Sequence, residues 1–369
     1  MKFTINKKIL EESTETVSKY TNSVSENYAL RSILFKVKQN EIELQAYNEY
    51  FSIVKKIEVD NTNVFVSEQG EFLITAAIFK NVVKKTTGTI EINDENGIIE
   101  VISPESRYTI TKNDQKIFNQ IENVVKTVEI EIDRDEFKKA IQSVRFAATN
   151  NNDNIFKCIN LKFFKNTINL VATDRYRLAK YLVTAGEEIT NDEIDISINA
   201  DLVKDLIPQD ANKKMKIFFN NIKFGVEYKN TVITVRKSDV TYPNLDYLFT
   251  TDEIKYKIII NKQILMDMLN RAYVFSSYST SALELSFDKS SLTVSMQNSE
   301  IGTSVVRTNQ VYFEGPKTLI FDINYNYLKD ALSVFDNDVI ILLDQSASKI
   351  LLLSKSNENC KQIVCPIRK

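Results

Sequence analysis

Glu129–Val144 reads EIEIDRDEFKKAIQSV, and the two halves of the stretch obey different periods. Glu129-Ile130-Glu131-Ile132 alternates polar and apolar residues, the two-residue period of a strand with one buried face. The second half, RDEFKKAIQSV, is patterned as an amphipathic helix. Asp133 stands at the junction, where a carboxylate accepts the free N–H groups of a first helical turn. With Glu136 three residues on, it has the spacing of a capping box. The same strand, cap and helix occur twice more. Lys2-Phe3-Thr4-Ile5-Asn6 runs into KKILEESTETV, and Lys257-Ile258-Ile259-Ile260-Asn261 runs into KQILMDMLNRA. The caps Asn6, Asp133 and Asn261 are 127 and 128 residues apart, and Leu10, Phe137 and Leu265 each follow their cap by four, on the core face.

Other elements keep the same interval. The alternating strands Ile42–Ala46, Ile168–Ala172 and Leu292–Met296 begin 126 and 124 residues apart. ITAAIFKNVVKK from Ile74, INADLVKDLI from Ile198 and INYNYLKDAL from Ile323 each predict a strand end feeding a second helix, at intervals of 124 and 125. A third of the 369 residues is 123. Three repeated domains are therefore expected, at 1–126, 127–253 and 254–369. Segments 85–112, 216–238 and 339–369 alternate between turn signals such as Asn93–Gly97 and Lys229-Asn230. Each repeat then holds two helices on antiparallel sheets of about eight strands, an α+β fold with six helices in all.

Composition excludes much chemistry. There is no His and no Trp, which removes His-dependent nucleophilic catalysis and every imidazole metal ligand. Seven scattered Gly allow neither a GxGxxG fingerprint nor a P-loop. Cys158, Cys360 and Cys365 form no disulfide framework and no zinc spacing, an odd count that suits a reducing compartment. No 18-residue apolar run and no leader-like start occur, so a cytoplasmic chain without membrane contact is expected. The 47 Lys and Arg against 49 Asp and Glu leave a formal charge of −2, unlike a protein coated in positive charge.

Lys80, Lys204 and Lys329 recur six residues after Ile74, Ile198 and Ile323, and Lys84, Lys138 and Arg145 add to the helix faces or ends. Such cations fit either a solvated helix face or a surface that tracks phosphates. Glu11, Glu12 and Glu15 on the first helix would repel phosphate if they faced it. No base-reading motif accompanies them, so a nucleic-acid partner would be held by its backbone.

Beyond these patterns, the chain resembles the bacterial DNA polymerase III beta subunit family, the sliding clamps, from end to end. The opening Met1-Lys2-Phe3-Thr4-Ile5 is similar to that family's start, and Val171–Ala179 (VATDRYRLA) to its V-A-T-D-x-x-R-L-A run. Tyr242-Pro243-Asn244 resembles its F/Y-P-D/N step, and Val364-Cys365-Pro366-Ile367-Arg368 its terminus. The resemblance implies a ring of two chains joined head to tail, domain I to domain III, with helices lining a hole that takes double-stranded DNA whatever its sequence. Lys80, Lys84, Lys138, Arg145, Lys204 and Lys329 are the candidates to face that duplex. It also implies a cleft between domains II and III that docks short peptides of the replicative polymerase, the clamp loader and repair proteins. Carried over by motif, one wall is Thr173, Arg175, Tyr176, Arg177 and Leu178, with Pro243, Leu248 and Cys158 beside it. Asn324 and Tyr327 form another side, and Ile363, Val364, Cys365, Pro366, Ile367 and Arg368 the floor. Leu178, Ile363 and Val364 equally fit a plain strand core. The implied protein is a processivity factor with no catalytic residues, cofactor or metal.

The chain departs from the family pattern at several points. Cys365 stands where Met is frequent, Arg175-Tyr176 where a Gly-containing pair is usual, and Lys349 where Pro or Ser is common. Ser32 replaces a usual Pro, and expected basic positions on the second helices are Ala77 and Asp201. Two other readings fit parts of the sequence. One is a clamp-like hub that binds peptides without encircling DNA. The other is a metal-dependent hydrolase on Asp174 or on Asp133, Asp135 and Glu136, but those carboxylates are better explained by a turn and a helix cap.

Overall fold

The computed structural model of the chain describes residues 1–122, 124–149, 153–208, 211–251, 254–275 and 281–367. A strand running directly into a helix opens each repeat as expected, and Asn6 and Asn261 cap the helices of the first and third. In the first, β1 (Lys2–Asn6) leads into α1 (Lys7–Ser18), where Asn6 accepts from Lys8 N–H. The repeat continues through β2 (Ser32–Val37), β3 (Glu41–Tyr47), β4 (Phe51–Glu58), β5 (Val64–Glu68) and β6 (Gly70–Thr75) to α2 (Ala76–Lys85). It ends with β7 (Thr89–Glu95), β8 (Ile98–Ser103) and β9 (Ser106–Thr111).

The second repeat comprises β10 (Val128–Asp133), α3 (Arg134–Arg145), β11 (Cys158–Lys165), β12 (Thr167–Thr173), β13 (Arg177–Thr184) and β14 (Thr190–Asn199). After these come α4 (Ala200–Val203), β15 (Lys214–Phe219), β16 (Lys223–Tyr228) and β17 (Thr231–Arg236). The third comprises β18 (Ile254–Asn261), α5 (Lys262–Ala272), β19 (Ala282–Phe287), β20 (Leu292–Asn298), β21 (Gly302–Thr308), β22 (Tyr312–Glu314) and β23 (Leu319–Asn324). It closes with α6 (Tyr325–Ser333), β24 (Asp338–Asp344), β25 (Ile350–Leu353) and β26 (Cys360–Val364). The described residues thus give nine, eight and nine strands where about eight were expected.

One helix is shorter than its pattern. The apolar face Val203, Leu206 and Ile207 predicts a longer second helix, but α4 stops at Val203 with Lys204 as its C-cap. Pro208 lacks an N–H and disfavours helical φ/ψ at Ile207, so a further turn would have no support. Leu206 and Ile207 are buried all the same.

All ladders are antiparallel, and they gather into two compact units that cut across the repeat. The first unit takes Met1–Arg134 and Asp205–Lys237. It holds a five-stranded sheet, β5-β1-β7-β8-β9, and an eight-stranded sheet, β10-β15-β16-β17-β4-β3-β2-β6. Its seam is β17 on β4, with Ile233 opposite Ile53 and the Ser52 and Thr234 hydroxyls 2.6 Å apart. Asn96-Gly97 and Lys229-Asn230, all at positive φ, form the tight turns of its hairpins β7–β8 and β16–β17. Phe35 stacks on Phe72 at 4.6 Å, and Phe79 of α2 packs edge-on against both, fastening α2 to β2 and β6. Each such ring contributes roughly 1.5–3 kcal/mol by leaving water.

The second unit takes Asp135–Lys204 and Ser238–Lys369. It holds a nine-stranded sheet, β14-β11-β12-β13-β26-β25-β24-β18-β22, and a four-stranded sheet, β21-β20-β19-β23. The seam here is β13 on β26. Among the described residues no helix is long and apolar enough to cross a membrane.

Two buried thiols give the fold a pH signature. Burial pushes the Cys360 thiol up to about 11 from an ordinary 9.0, and burial also raises Cys158. In the unfolded chain these thiols ionise near 9, so the stability they confer is full below pH 9 and is lost as pH climbs through their folded values. Urea unfolding should therefore show a stability loss of roughly 1–3 kcal/mol between pH 9 and pH 11. Below pH 10, before tyrosines ionise, Cys158→Ala/Cys360→Ala should flatten that slope. An unchanged slope would assign it to other groups.

Candidate functional site

The turn between β12 and β13 is organised by one carboxylate. Asp174, 6% exposed, accepts from the Tyr176 and Arg177 N–H groups at 3.1 and 3.0 Å through Oδ1, and from Arg177 Nε at 2.9 Å through Oδ2. Thr173 Oγ1 donates to the Arg177 carbonyl at 2.7 Å and accepts from Arg175 N–H at 3.2 Å. The turn puts Arg175 at φ +77°, in the left-handed region that an Arg occupies only under strain. Its guanidinium lies 4.7 Å from the Phe156 ring centre and 3.4 Å from Asp153. Asp174 is thus a turn and charge-pairing residue. Among the described residues no group of three or more His, Cys, Asp or Glu side chains is placed to hold a metal.

Arg177 is the pivot between this turn and α6. Its Nη1 donates to Asp330 Oδ2 at 2.5 Å, and its guanidinium lies 4.7 Å from the Tyr327 ring centre and 5.4 Å from that of Phe146. Asn324 caps α6, accepting from the N–H groups of Asn326 and Tyr327, and so fixes where Tyr327 begins. Tyr176, 60% exposed, stacks on Tyr327 with ring centres 6.0 Å apart. Partial burial, and then the nearby Asp174 charge, raise the Tyr327 hydroxyl above its ordinary value.

The β13–β26 ladder sets Arg177 opposite Val364 and Leu178 opposite Ile363. Leu178 and Ile363 join Phe249 and Leu351 in a buried cluster. Val171, Leu245, Leu248, Leu342 and Leu353, only partly buried, pack against it, so apolar side chains continue from this cluster to the surface. Lys349 Nζ donates to the Leu248 carbonyl at 2.7 Å, and Lys180 pairs with Asp246 at 2.5 Å, which holds the 245–249 segment over the sheet. Pro243 is exposed and lines a small cavity of about 50 Å³ with Tyr242, Leu245 and Val171. Beyond β26 the chain stays tied: Cys365 N–H donates to the Tyr176 carbonyl at 2.8 Å, and Ile367 N–H to the Asp322 carbonyl at 2.7 Å. Cys365 and Pro366 are half-buried and Ile367 is exposed.

One expected wall residue is not presented to a ligand. Cys158 is 2% exposed, with its thiol donating to the Asn154 carbonyl at 3.2 Å, because it is the first residue of a strand buried within the sheet. Val364, fully buried, belongs to the core of its ladder, and Leu178 and Ile363, each 4% exposed, lie within the buried apolar cluster beneath the partly buried Leu245, Leu248 and Leu353. Arg368 lies outside the described residues. Missing from the expected set were Asp330, Leu245, Phe249 and Lys349. Leu245, Leu248 and Phe249 do share a helical spacing, a signal that was present in the sequence.

The six candidate cations differ in what holds them. Lys84 pairs with Glu15 at 2.7 Å, and Arg145 with Asp201 at 3.2 Å. Lys329 sits 5.3 Å from the Tyr325 ring centre. Lys80 and Lys138 are half-buried, and Lys204 is exposed.

Comparison with known proteins agrees along the whole chain. Three family models match in succession: the DNA polymerase III beta subunit N-terminal domain over residues 1–122, its central domain over 131–244 and its C-terminal domain over 250–368. The beta sliding clamp of Mycoplasmopsis pulmonis is 25% identical over 361 residues, covering 96% of both chains. That of Bacillus subtilis is 25% identical over 380 residues, covering all of both. Among solved structures, the DNA polymerase III subunit beta of Pseudomonas aeruginosa superposes with a TM-score of 0.90 at 19% identity over the whole of both chains. The Bacillus subtilis sliding clamp gives 0.90 at 23% identity, covering 100% of this chain and 99% of that one.

The Asp174 carboxylate offers a direct test of the turn. Asp174→Ala strands two N–H groups and the Nε of a buried guanidinium, which keeps Asp330, and should lower the unfolding free energy by about 2–4 kcal/mol in urea. Asp174→Asn, which keeps the backbone acceptor, should cost less. Equal losses in the two variants would mean that the charge alone organises the turn.

Proposed function

The chain belongs to the DNA polymerase III beta subunit family, and on that premise we propose that it works as a DNA sliding clamp, a ring of two chains that encircles duplex DNA and confers processivity on the replicative polymerase. The observation that carries this reading is the end-to-end match: three successive family domains, from residue 1 to residue 368, on a fold shared at a TM-score of 0.90. The chain tethers and does no chemistry of its own, in the cytoplasm and without cofactor or metal.

In this proposal the three domains divide at 126/127 and 253/254, and domain I of one chain meets domain III of its partner. Two sheet edges support that pairing. β9 ends the five-stranded sheet and β21 ends the four-stranded sheet, each without a neighbour on its outer side among the described residues. An unpaired antiparallel edge adds a strand from another chain, and Val305 on β21 is 64% exposed. A head-to-tail contact between unlike surfaces closes into a ring when the rotation allows it. The helices α1 to α6 then face the duplex, with Lys80, Lys84, Lys138, Arg145, Lys204 and Lys329 toward its phosphates.

Polymerase, clamp loader and repair proteins would dock a short extended peptide on the apolar surface over Leu178 and Ile363. An apolar peptide side chain packs there against Leu245, Leu248 and Leu353. The side formed by Tyr176, Arg177, Asn324, Tyr327 and Cys365–Ile367 orients the polar end.

Two measurements test the proposal. The protein is loaded on a nicked circular plasmid with its loader and gel-filtered before and after linearisation. Retention on the circle and loss from the linear form are expected. Equal behaviour on both would leave a peptide-binding hub that does not encircle DNA. Deleting Pro366–Lys369 removes the Ile367 tie to Asp322, and should abolish titration by a partner peptide while the ring survives. An unchanged titration would count against the cleft.

A further inference from the structure

Glu15, Gln142 and Asn270 each stand nine residues after the cap that opens the first helix of their repeat. Only the first is an acid, and it is in use. Glu15 Oε1 on α1 meets Lys84 Nζ on α2 at 2.7 Å, with both side chains 44% exposed. The Lys84 bond holds the Glu15 carboxyl below its ordinary range, and the Lys80 and Lys19 charges act in the same direction, so one carboxylate lies in the field of three lysines. In the second repeat the polarity is reversed. Arg145 on α3 donates from Nε to the Ala200 carbonyl at 3.1 Å, and its Nη2 lies 3.2 Å from Asp201 Oδ1 on α4. Asp201 stands where the family resemblance leads one to expect a base. In the third repeat the inter-helix contact is neutral: the Tyr325 hydroxyl donates to Asn270 Oδ1 at 2.6 Å. Lys329 there lies over the Tyr325 ring, with no carboxylate within 4.0 Å among the described residues.

We propose that Glu15 and Asp201 are built-in counterions that occupy Lys84 and Arg145 in competition with DNA phosphates, so that the first two repeats grip a duplex less tightly than their count of cations implies. The proposal rests on the reading that these helices face DNA. The physics is exchange. A cation that stays paired to a carboxylate neutralises no phosphate and so releases none of the counterions condensed on the DNA, and a phosphate that takes it must break the pair. Exposed pairs are weak enough to open and close readily, which suits a surface past which a polyanion must slide.

The test uses Glu15→Gln and Asp201→Asn, near-isosteric changes at half-exposed positions, in the full-length protein. Binding to a short linear duplex is followed by fluorescence anisotropy across a salt series. Each variant should bind more tightly at low salt, and its plot of log K against log salt should steepen by about 0.9, the value of one added phosphate contact on B-DNA. Glu15→Gln/Lys84→Gln should return to the wild-type slope. Unchanged slopes in both single variants, or a double variant as steep as Glu15→Gln alone, would overturn the counterion role. The wild type is run in parallel for retention on closed circular DNA. Retention with unchanged slopes removes the counterions and leaves the clamp standing. Loss of the wild type from circles as readily as from linear DNA removes the clamp reading and the counterion role with it.

Discussion

The pairing of β13 with β26 is the constraint on which the candidate peptide site depends. It joins residues 179 to 187 apart in sequence and continues the nine-stranded sheet of the second unit. Its register is tightly specified, because side chains alternate faces and a slip of one residue would exchange them all. As it stands, Leu178 and Ile363 meet on one face, where Phe249 and Leu351 complete an apolar floor. Arg177 and Val364 turn to the other, where Arg177 reaches Tyr327 and Asp330 of α6. A slipped ladder would put a guanidinium into the apolar cluster and a leucine against Asp330. The desolvation penalty for the buried charge makes that register untenable.

The charges around the ladder follow from the same placement. Arg177 is 12% exposed, and a guanidinium that far from water needs compensation. It has two carboxylates, one nearly buried and one half-exposed, and two aromatic faces. The buried partner, Asp174, also satisfies the backbone of the turn, so one residue fixes both the conformation and the charge. That double fixing is what can hold Arg175 in the left-handed region, at a cost of order 1–3 kcal/mol. A Gly at that position would adopt the same φ without strain. Arg175 instead gains contacts to Phe156 and Asp153.

The repeat was legible because it is written in local chemistry. Asn6 and Asn261 cap their helices as their position after an alternating strand predicts, and Asn96-Gly97 and Lys229-Asn230 turn where they should. The helix α4 was overestimated because its apolar spacing continues to Ile207 while Pro208 withdraws the backbone support. What remained hidden was long-range. Nothing in the sequence tells β17 to pair with β4 or β13 with β26, so the two compact units, which divide the central repeat between them, had no local signal. For the site, the turn residues carried a motif and were found. Asp330 and Lys349 carry none. Their partners are 153 residues away at Arg177 and 101 at Leu248, contacts that only the fold creates. Cys158 had the right neighbourhood in sequence and the wrong exposure, since a strand's first residue does not reveal which side of the sheet is covered.

The weak local chemistry of the helices and the end-to-end family match belong to one argument. A protein that held DNA by affinity would present unopposed cations and base-reading side chains, and its residence time would follow from their sum. This chain has a formal charge of −2, no base-reading motif, and carboxylates set against Lys84 and Arg145. On the proposed reading that these helices face DNA, such a surface would bind a phosphate backbone poorly at any one place and would offer little resistance to translation along it. Long residence must then come from geometry, and a closed ring supplies it without deepening any single contact. Local grip and topological hold trade against each other: the weaker the first, the freer the sliding that the second permits.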